Sequence, residues 1–280
     1  MSHYLDSRMK LKVHISTCPN DTFMFDALLH ERIDTEGLEF DTHLADIEEL
    51  NELALNGTAD ITKCSYAIVP QISGEYQILN SGSALGRGNG PLVVSREPLH
   101  KEGLSREKVA IPGIHTTANL LLKNLFPEIT DKSEMLFSDI IPAVAEGKVD
   151  AGVLIHEGRF IYQENGLSLV ADLGQEWEAR YGLPLPLGAI AVRRSLSEEL
   201  KQRIDRLVSR SVSYAFEHPA ESRAFIKQYA QELDDSVIQS HIDLFVNEYS
   251  IDLGDEGQKA VMQLLKKTPA GEAGASIFVE

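Results

Sequence analysis

The stretch DAGVLIHEGR, Asp150 to Arg159, runs an apolar segment straight into His156. Ala151 to Ile155 reads as a strand buried on both faces. An imidazole at its end is either a satisfied core histidine or a proton acceptor held where the strand emerges, since histidine titrates near neutral pH. Glu157 follows directly, and on a continued strand it faces the opposite side, so it is not expected to orient the ring. Two further places carry chemistry. Ser65 stands where the apolar strand within ADITKCSYAIV should end. Thr116 and Thr117 open the helix TTANLLLKNLF, whose first-turn N–H groups and dipole suit a carboxylate or phosphate, with the hydroxyls as extra donors. Capping alone is the other reading of that pair.

The elements that must position these residues repeat. ELALNGTADITKCS and PAVAEGKVDAGVLIH both run helix, Gly, two residues, Asp and strand: Gly57 with Asp60, then Gly147 with Asp150. In each, the glycine can stop a helix in the left-handed conformation and the aspartate sits at the turn into a buried strand. Each unit is preceded by a strand running into a polar helix start, LKVHISTCPNDT in the first and EKVAIPGIHTTAN in the second. In the first, Asn20, Asp21 and Thr22 are the expected cap types, and Asp46 with Glu49 opens the helix that carries Ile47, Leu50, Leu53 and Ala54 inward. Strands alternating with helical patterns specify an α/β class, and the repeat specifies two similar lobes.

Composition narrows the function. The 280 residues are 43% apolar with only 20 Gly and 11 Pro, enough for a large core. With 26 Lys and Arg against 43 Asp and Glu, the net charge of −17 argues against nucleic acid or an anionic membrane as partner. An anionic small molecule must therefore be held locally. No apolar run reaches the length of a membrane span, and the N-terminus lacks the apolar core of a signal peptide, so the expected location is cytoplasmic. Residues 1–8 read as an N-terminal extension. Cys18 and Cys64 form no metal pattern and read as buried free thiols closing the first and third strands of one lobe.

Gly- and Pro-rich segments, GRGNGPLVVSRE and LPLPLGAIAVRRS, mark two crossings between the lobes. The expected division is 9–92 as the first part of lobe 1, 93–188 as lobe 2, and 189–280 as the return to lobe 1 with C-terminal helices. That layout is a two-lobed, type II periplasmic-binding-protein-like fold, with the cleft at the carboxyl ends of the strands and Ser65, Thr116, Thr117 and His156 pointing into it. Lobes joined only by two crossings should close around a ligand. Arg87 and Arg159 are candidates for charge pairing, with a solvated surface as their expected setting.

CPNDTFMFDAL at Cys18–Leu28, KCSYA at Lys63–Ala67, TTANLLL at Thr116–Leu122 and GVLIHEGR at Gly152–Arg159 together resemble the 1,4-dihydroxy-6-naphthoate synthase family of the futalosine route to menaquinone. The resemblance covers Met9 to the C-terminus, departing at Thr17, where the family has proline. It implies a lyase that fragments cyclic dehypoxanthine futalosine without metal or organic cofactor, with His156 as proton acceptor and Lys63, Cys64, Ser65, Thr116 and Thr117 holding the substrate. Two rivals share the fold: a protein that only captures an organic anion, and the sister enzyme that dehydrates chorismate. The HEGR ending of the second-lobe strand favours the synthase.

Overall fold

The computed structural model describes residues 8–230, 234–266 and 276–280. β1 (Met9–Ser16) leads through α1 (Pro19–Leu29) to β2 (Leu38–Ala45), and α2 (Ile47–Leu55) leads to β3 (Ile61–Ser65). A 3₁₀ turn at Tyr66–Ile68 and α3 (Val69–Ile72) pass the chain to β4 (Tyr76–Ile78) and β5 (Ala84–Gly86). The second sheet then builds from β6 (Leu92–Ser95), β7 (Val109–Ile111), α4 (Thr117–Leu125), β8 (Lys132–Glu134), α5 (Phe137–Ala145), β9 (Ala151–Leu154), α6 (Gly158–Ile161), β10 (Ser168–Asp172) and α7 (Leu173–Tyr181). β11 (Leu185–Arg193) returns to the first sheet. Helices α8 (Glu198–Glu217), α9 (Arg223–Tyr229), α10 (Asp235–Phe245), α11 (Glu248–Ile251) and α12 (Gly254–Leu265) follow.

Both sheets are wound in one order. The first reads β2-β1-β3-β11-β4, with β5 also on β11, and the second reads β8-β7-β9-β6-β10. In each, three parallel strands meet an antiparallel strand supplied by a crossing segment. The repeat seen in the sequence is a repeat of hydrogen bonds. Gly57 and Gly147 take φ of +61° and +73°, which lets the chain turn sharply out of a helix. Asp60 then gives its N–H to the Lys12 carbonyl and accepts the Lys12 N–H at 2.9 Å. Asp150 does the same with Lys108, also at 2.9 Å. Each aspartate thus clamps the start of the third strand to the start of the first.

Three expectations need correction. The sheets change hands slightly earlier than expected: Leu92 already pairs in the second sheet, and residues 185–188 already pair in the first. Helix α1 begins at Pro19 with Cys18 as its N-cap, a turn ahead of the expected Asn20–Thr22 cap, because proline's fixed φ suits the first helical position. The lobes also meet through more than two crossings. One buried cluster joins Tyr66, Ile78 and Leu185 of the first sheet region to Val93, Leu121, Ala151 and Trp177 of the second.

A separate core packs β1 and β11 against α1 and α8, through Val13, Ile15, Phe25, Leu28, Leu207 and Val208. The final residues return to the first sheet: the Ile78 N–H donates to the Ile277 carbonyl at 2.7 Å, and the Val279 N–H to the Ile78 carbonyl at 3.0 Å. Of the expected extension, residues 1–7 lie outside the described residues. Among those described, no helix is long and apolar enough to cross a membrane.

Candidate active site

The carboxyl ends of β1, β3 and β9, the loop after β7 and the helix α10 converge on one cavity of about 650 Å³, measured to its open mouth. Ser16, Lys63 and Ser65 come from the first sheet; Thr116, Thr117, His156 and Arg159 come from the second. Apolar wall is supplied by Ile47, Pro91, Ile155, Leu187 and Phe245.

His156 sits just past the end of β9, at φ +51°, a left-handed backbone that histidine and asparagine adopt more readily than most residues. The strand ends at Leu154, so the alternation expected to turn Glu157 away does not apply; Glu157 is buried and its charge is felt at the Cys18 thiol. The His156 ring reaches across the cleft. Its Nδ1 lies 3.3 Å from Cys18 Sγ, it stands edge-on to Phe137 at 4.9 Å, and it lies nearly parallel to His241 at 6.0 Å. Desolvation in this setting pushes its pKa down to about 4, against the pull of Asp21. The ring is therefore neutral throughout the neutral pH range, with one unprotonated nitrogen, while burial makes its protonated form costly. Burial, then the charges of Glu157 and Asp21, push the Cys18 thiol well up, so it stays protonated beside the ring.

Lys63 donates to Asp21 Oδ1 at 2.7 Å in an ion pair that is almost wholly buried. Asp21 also accepts the Ser16 N–H at 3.0 Å and the Asn20 side-chain amide at 2.9 Å. The other end of the Asn20 amide meets His241 Nε2 at 3.1 Å. Gly188 makes room for this arrangement, since a Cβ there would lie 2.9 Å from Lys63 Cε. Ser65 accepts from Asn51 Nδ2 at 3.0 Å and gives its backbone N–H to Asn51 Oδ1 at 2.8 Å, which leaves the hydroxyl hydrogen to donate into the cavity.

Cys64 does not line the cavity. Strand alternation turns its side chain into the apolar core with Tyr66, between two residues that do face the site. The threonines are committed as well: Thr116 donates to the Gly113 carbonyl and caps Asn119, and Thr117 donates to the Leu187 carbonyl at 2.7 Å. Each hydroxyl has one hydrogen, and it is used. What α4 offers a ligand is its first-turn amides. Arg159 is not on a solvated surface: it lines the cavity, donates to the Gly90 carbonyl and has its pKa lowered by burial, which Asp172 opposes. Arg87 is the exposed one, paired with Glu256 at 3.1 Å. Asn20, Asn51 and His241 have no counterpart among the residues expected from sequence. No cluster of three or more potential metal ligands occurs among the described residues.

Two expectations arise from this electrostatics. Burial lowers the pKa of His156, His241 and His14, so below the ordinary histidine value of 6.5 the unfolded chain binds protons that the folded one refuses. Stability is lost as pH falls from about 6.5 toward 4, partly offset by Asp46 and Glu48, whose carboxyls burial pushes up. Thermal unfolding across that window should show a falling Tm; a flat Tm would contradict the buried neutral imidazoles.

The second concerns closure. Glu48 on α2 accepts the His115 N–H at 3.1 Å and contacts its Nδ1 at 2.6 Å, linking the two sides of the cleft. Glu48→Ala should raise the radius of gyration of the ligand-free protein in small-angle scattering. An unchanged value would mean that the shared apolar core alone holds the cleft shut.

A family model described as menaquinone biosynthesis matches residues 11–270. The 1,4-dihydroxy-6-naphthoate synthase of Thermus thermophilus is 48% identical over 93% of this chain and 94% of its own length. Its namesake from Streptomyces coelicolor is 43% identical over 93% of each chain. Among solved structures, the periplasmic aliphatic sulphonate binding protein of Escherichia coli superposes with a TM-score of 0.63 at 13% identity, covering 92% of this chain and 87% of its own. The fold is that of the two-lobed periplasmic binding proteins.

Proposed function

Because the chain belongs to the menaquinone biosynthesis family, we propose that it is a lyase that fragments cyclic dehypoxanthine futalosine to release 1,4-dihydroxy-6-naphthoate, with His156 as the proton acceptor. The observation that carries this reading is the neutral His156 imidazole, which reaches from the second sheet across the cavity to Cys18 and His241 on the opposite wall. A neutral imidazole carries a lone pair that can start the reaction by taking a proton, Asp21 pulls its basicity up against burial, and a base matched to its task contributes ~10²–10⁴ in rate.

The remaining residues hold the substrate. Its carboxylate is placed at the first-turn amides of α4, where the helix dipole and the Arg159 guanidinium favour negative charge. Ser65 and Lys63 have N–H and O–H hydrogens left to donate, and the bicyclic body lies against Ile47, Pro91, Leu187 and Phe245. No step in this account calls for a metal or organic cofactor. A cytoplasmic enzyme acting on a small organic anion fits the acidic chain.

The rival reading is a carrier of organic anions, as the names of several proteins of this fold indicate for those proteins. Incubation with cyclic dehypoxanthine futalosine and mass spectrometry of the products separates the two. Appearance of the naphthoate supports the lyase; saturable binding with the compound recovered intact would overturn it in favour of the carrier.

A further inference from the structure

We infer that His241 is a substrate-contacting residue whose Nδ1 accepts a hydrogen bond from a hydroxyl on the ring that carries the two hydroxyls in the naphthoate product. The inference rests on the lyase reading and assigns a role that the family resemblance does not supply.

Asp21 sets the orientation of its neighbours. A carboxylate only accepts, and Oδ1 of Asp21 receives both the Lys63 ammonium at 2.7 Å and the Asn20 side-chain NH₂ at 2.9 Å. That fixes the Asn20 amide with its oxygen toward His241 Nε2, 3.1 Å away. An oxygen there demands an N–H from the ring. A neutral imidazole has one N–H, so the proton sits on Nε2 and Nδ1 carries a lone pair.

The neutral state is secured by burial first, and the cationic side chains of Lys63 and Arg159 add to it. His241 is completely buried, and its Nδ1 has no hydrogen-bond partner among the described residues. A buried acceptor without a donor is costly and calls for one. His241 forms part of the cavity wall, and the donor we assign to its Nδ1 is a group of the bound ligand. A carboxylate cannot supply the hydrogen; a hydroxyl can. Since the ring lies parallel to His156 at 6.0 Å, the hydroxyl it holds belongs to the part of the substrate beside the base, away from the carboxylate at α4.

Two substitutions separate this from a structural role. Glutamine at 241 can place its amide NH₂ near Nε2, keeping the Asn20 bond and losing the Nδ1 acceptor. Asparagine can place its oxygen near Nδ1 and loses the Asn20 bond. His241→Gln should keep a Tm close to wild type while kcat/KM falls about tenfold. His241→Asn, which gives up the Asn20 bond, should lose Tm. A glutamine variant with both wild-type Tm and wild-type kcat/KM overturns the inference while leaving the lyase reading intact. Absence of turnover in the wild type overturns both.

A measurement on the wild type covers the case in which a variant does not fold. With ¹⁵N-labelled histidine, the unprotonated Nδ1 resonance of His241 should move when 1,4-dihydroxy-6-naphthoate saturates the site and stay in place with 2-naphthoate, which lacks both hydroxyls. An Nδ1 resonance that responds equally to the two ligands, or to neither, overturns the inference.

Discussion

His156→Asn is expected to give a folded protein that still binds its substrate but turns it over ~10²-fold more slowly or worse. The replacement suits the position for two reasons. Asparagine tolerates the left-handed backbone at φ +51°, and its amide keeps polar contact beside Cys18. It has no basicity near neutral pH, so the loss should appear in kcat rather than in KM. Steady-state kinetics with thermal unfolding of the same sample decides the matter. A stable variant with near wild-type kcat removes His156 from the chemistry, and an unstable one with proportionate loss of activity makes it a core residue.

Lys63→Met should be the most damaging change to stability, at about 3–5 kcal/mol, because it strands a buried charge. Asp21 is fully buried and its bonds to Ser16 and Asn20 remain, yet neither replaces the ammonium. Adding Asp21→Asn removes the stranded charge, so the double variant should recover a substantial part of the loss in a denaturant titration. Activity should stay low in both, since Lys63 lines the cavity and Asp21 fixes Asn20 and His241. A loss under about 1 kcal/mol for Lys63→Met would show that the pair is solvated, as exposed pairs are.

How much of this is legible in the sequence depends on which physical rule governs each residue. The glycine–aspartate spacing at Gly57–Asp60 and Gly147–Asp150 is local, a helix stop followed by a strand clamp, and it reads directly from the chain. Ser65, Thr116, Thr117 and His156 are legible as neighbours on one cavity because parallel sheets deliver their strand ends to one edge. Cys64 was misplaced because a run of adjacent residues ignores the two-residue period of a strand. Arg159 was read as solvated because the short helix α6, which turns it back toward the Gly90 carbonyl, leaves no periodic pattern.

His241 and Asn51 carry no signal in the sequence, and Asn20 signals only a helix cap. Each is a single polar residue on a helix, with nothing in its own neighbourhood to show whether that face meets solvent or a cavity. Their roles come from packing: α10 sits against α1, and Asn51 meets the end of β3. Even the cap types of Asn20 and Asp21 misled, because Pro19 starts the helix early and frees both side chains for the buried network.

The most direct test of His156 as the base is a rapid-quench, single-turnover experiment with cyclic dehypoxanthine futalosine, following 1,4-dihydroxy-6-naphthoate in the wild type and in His156→Gly, with and without added imidazole. Glycine accepts the left-handed backbone and leaves space for a free base. The account predicts rapid product formation in the wild type, ~10²-fold or greater loss in the variant, and a rate that climbs with imidazole concentration. Product formed by His156→Gly at the wild-type rate without imidazole would contradict it.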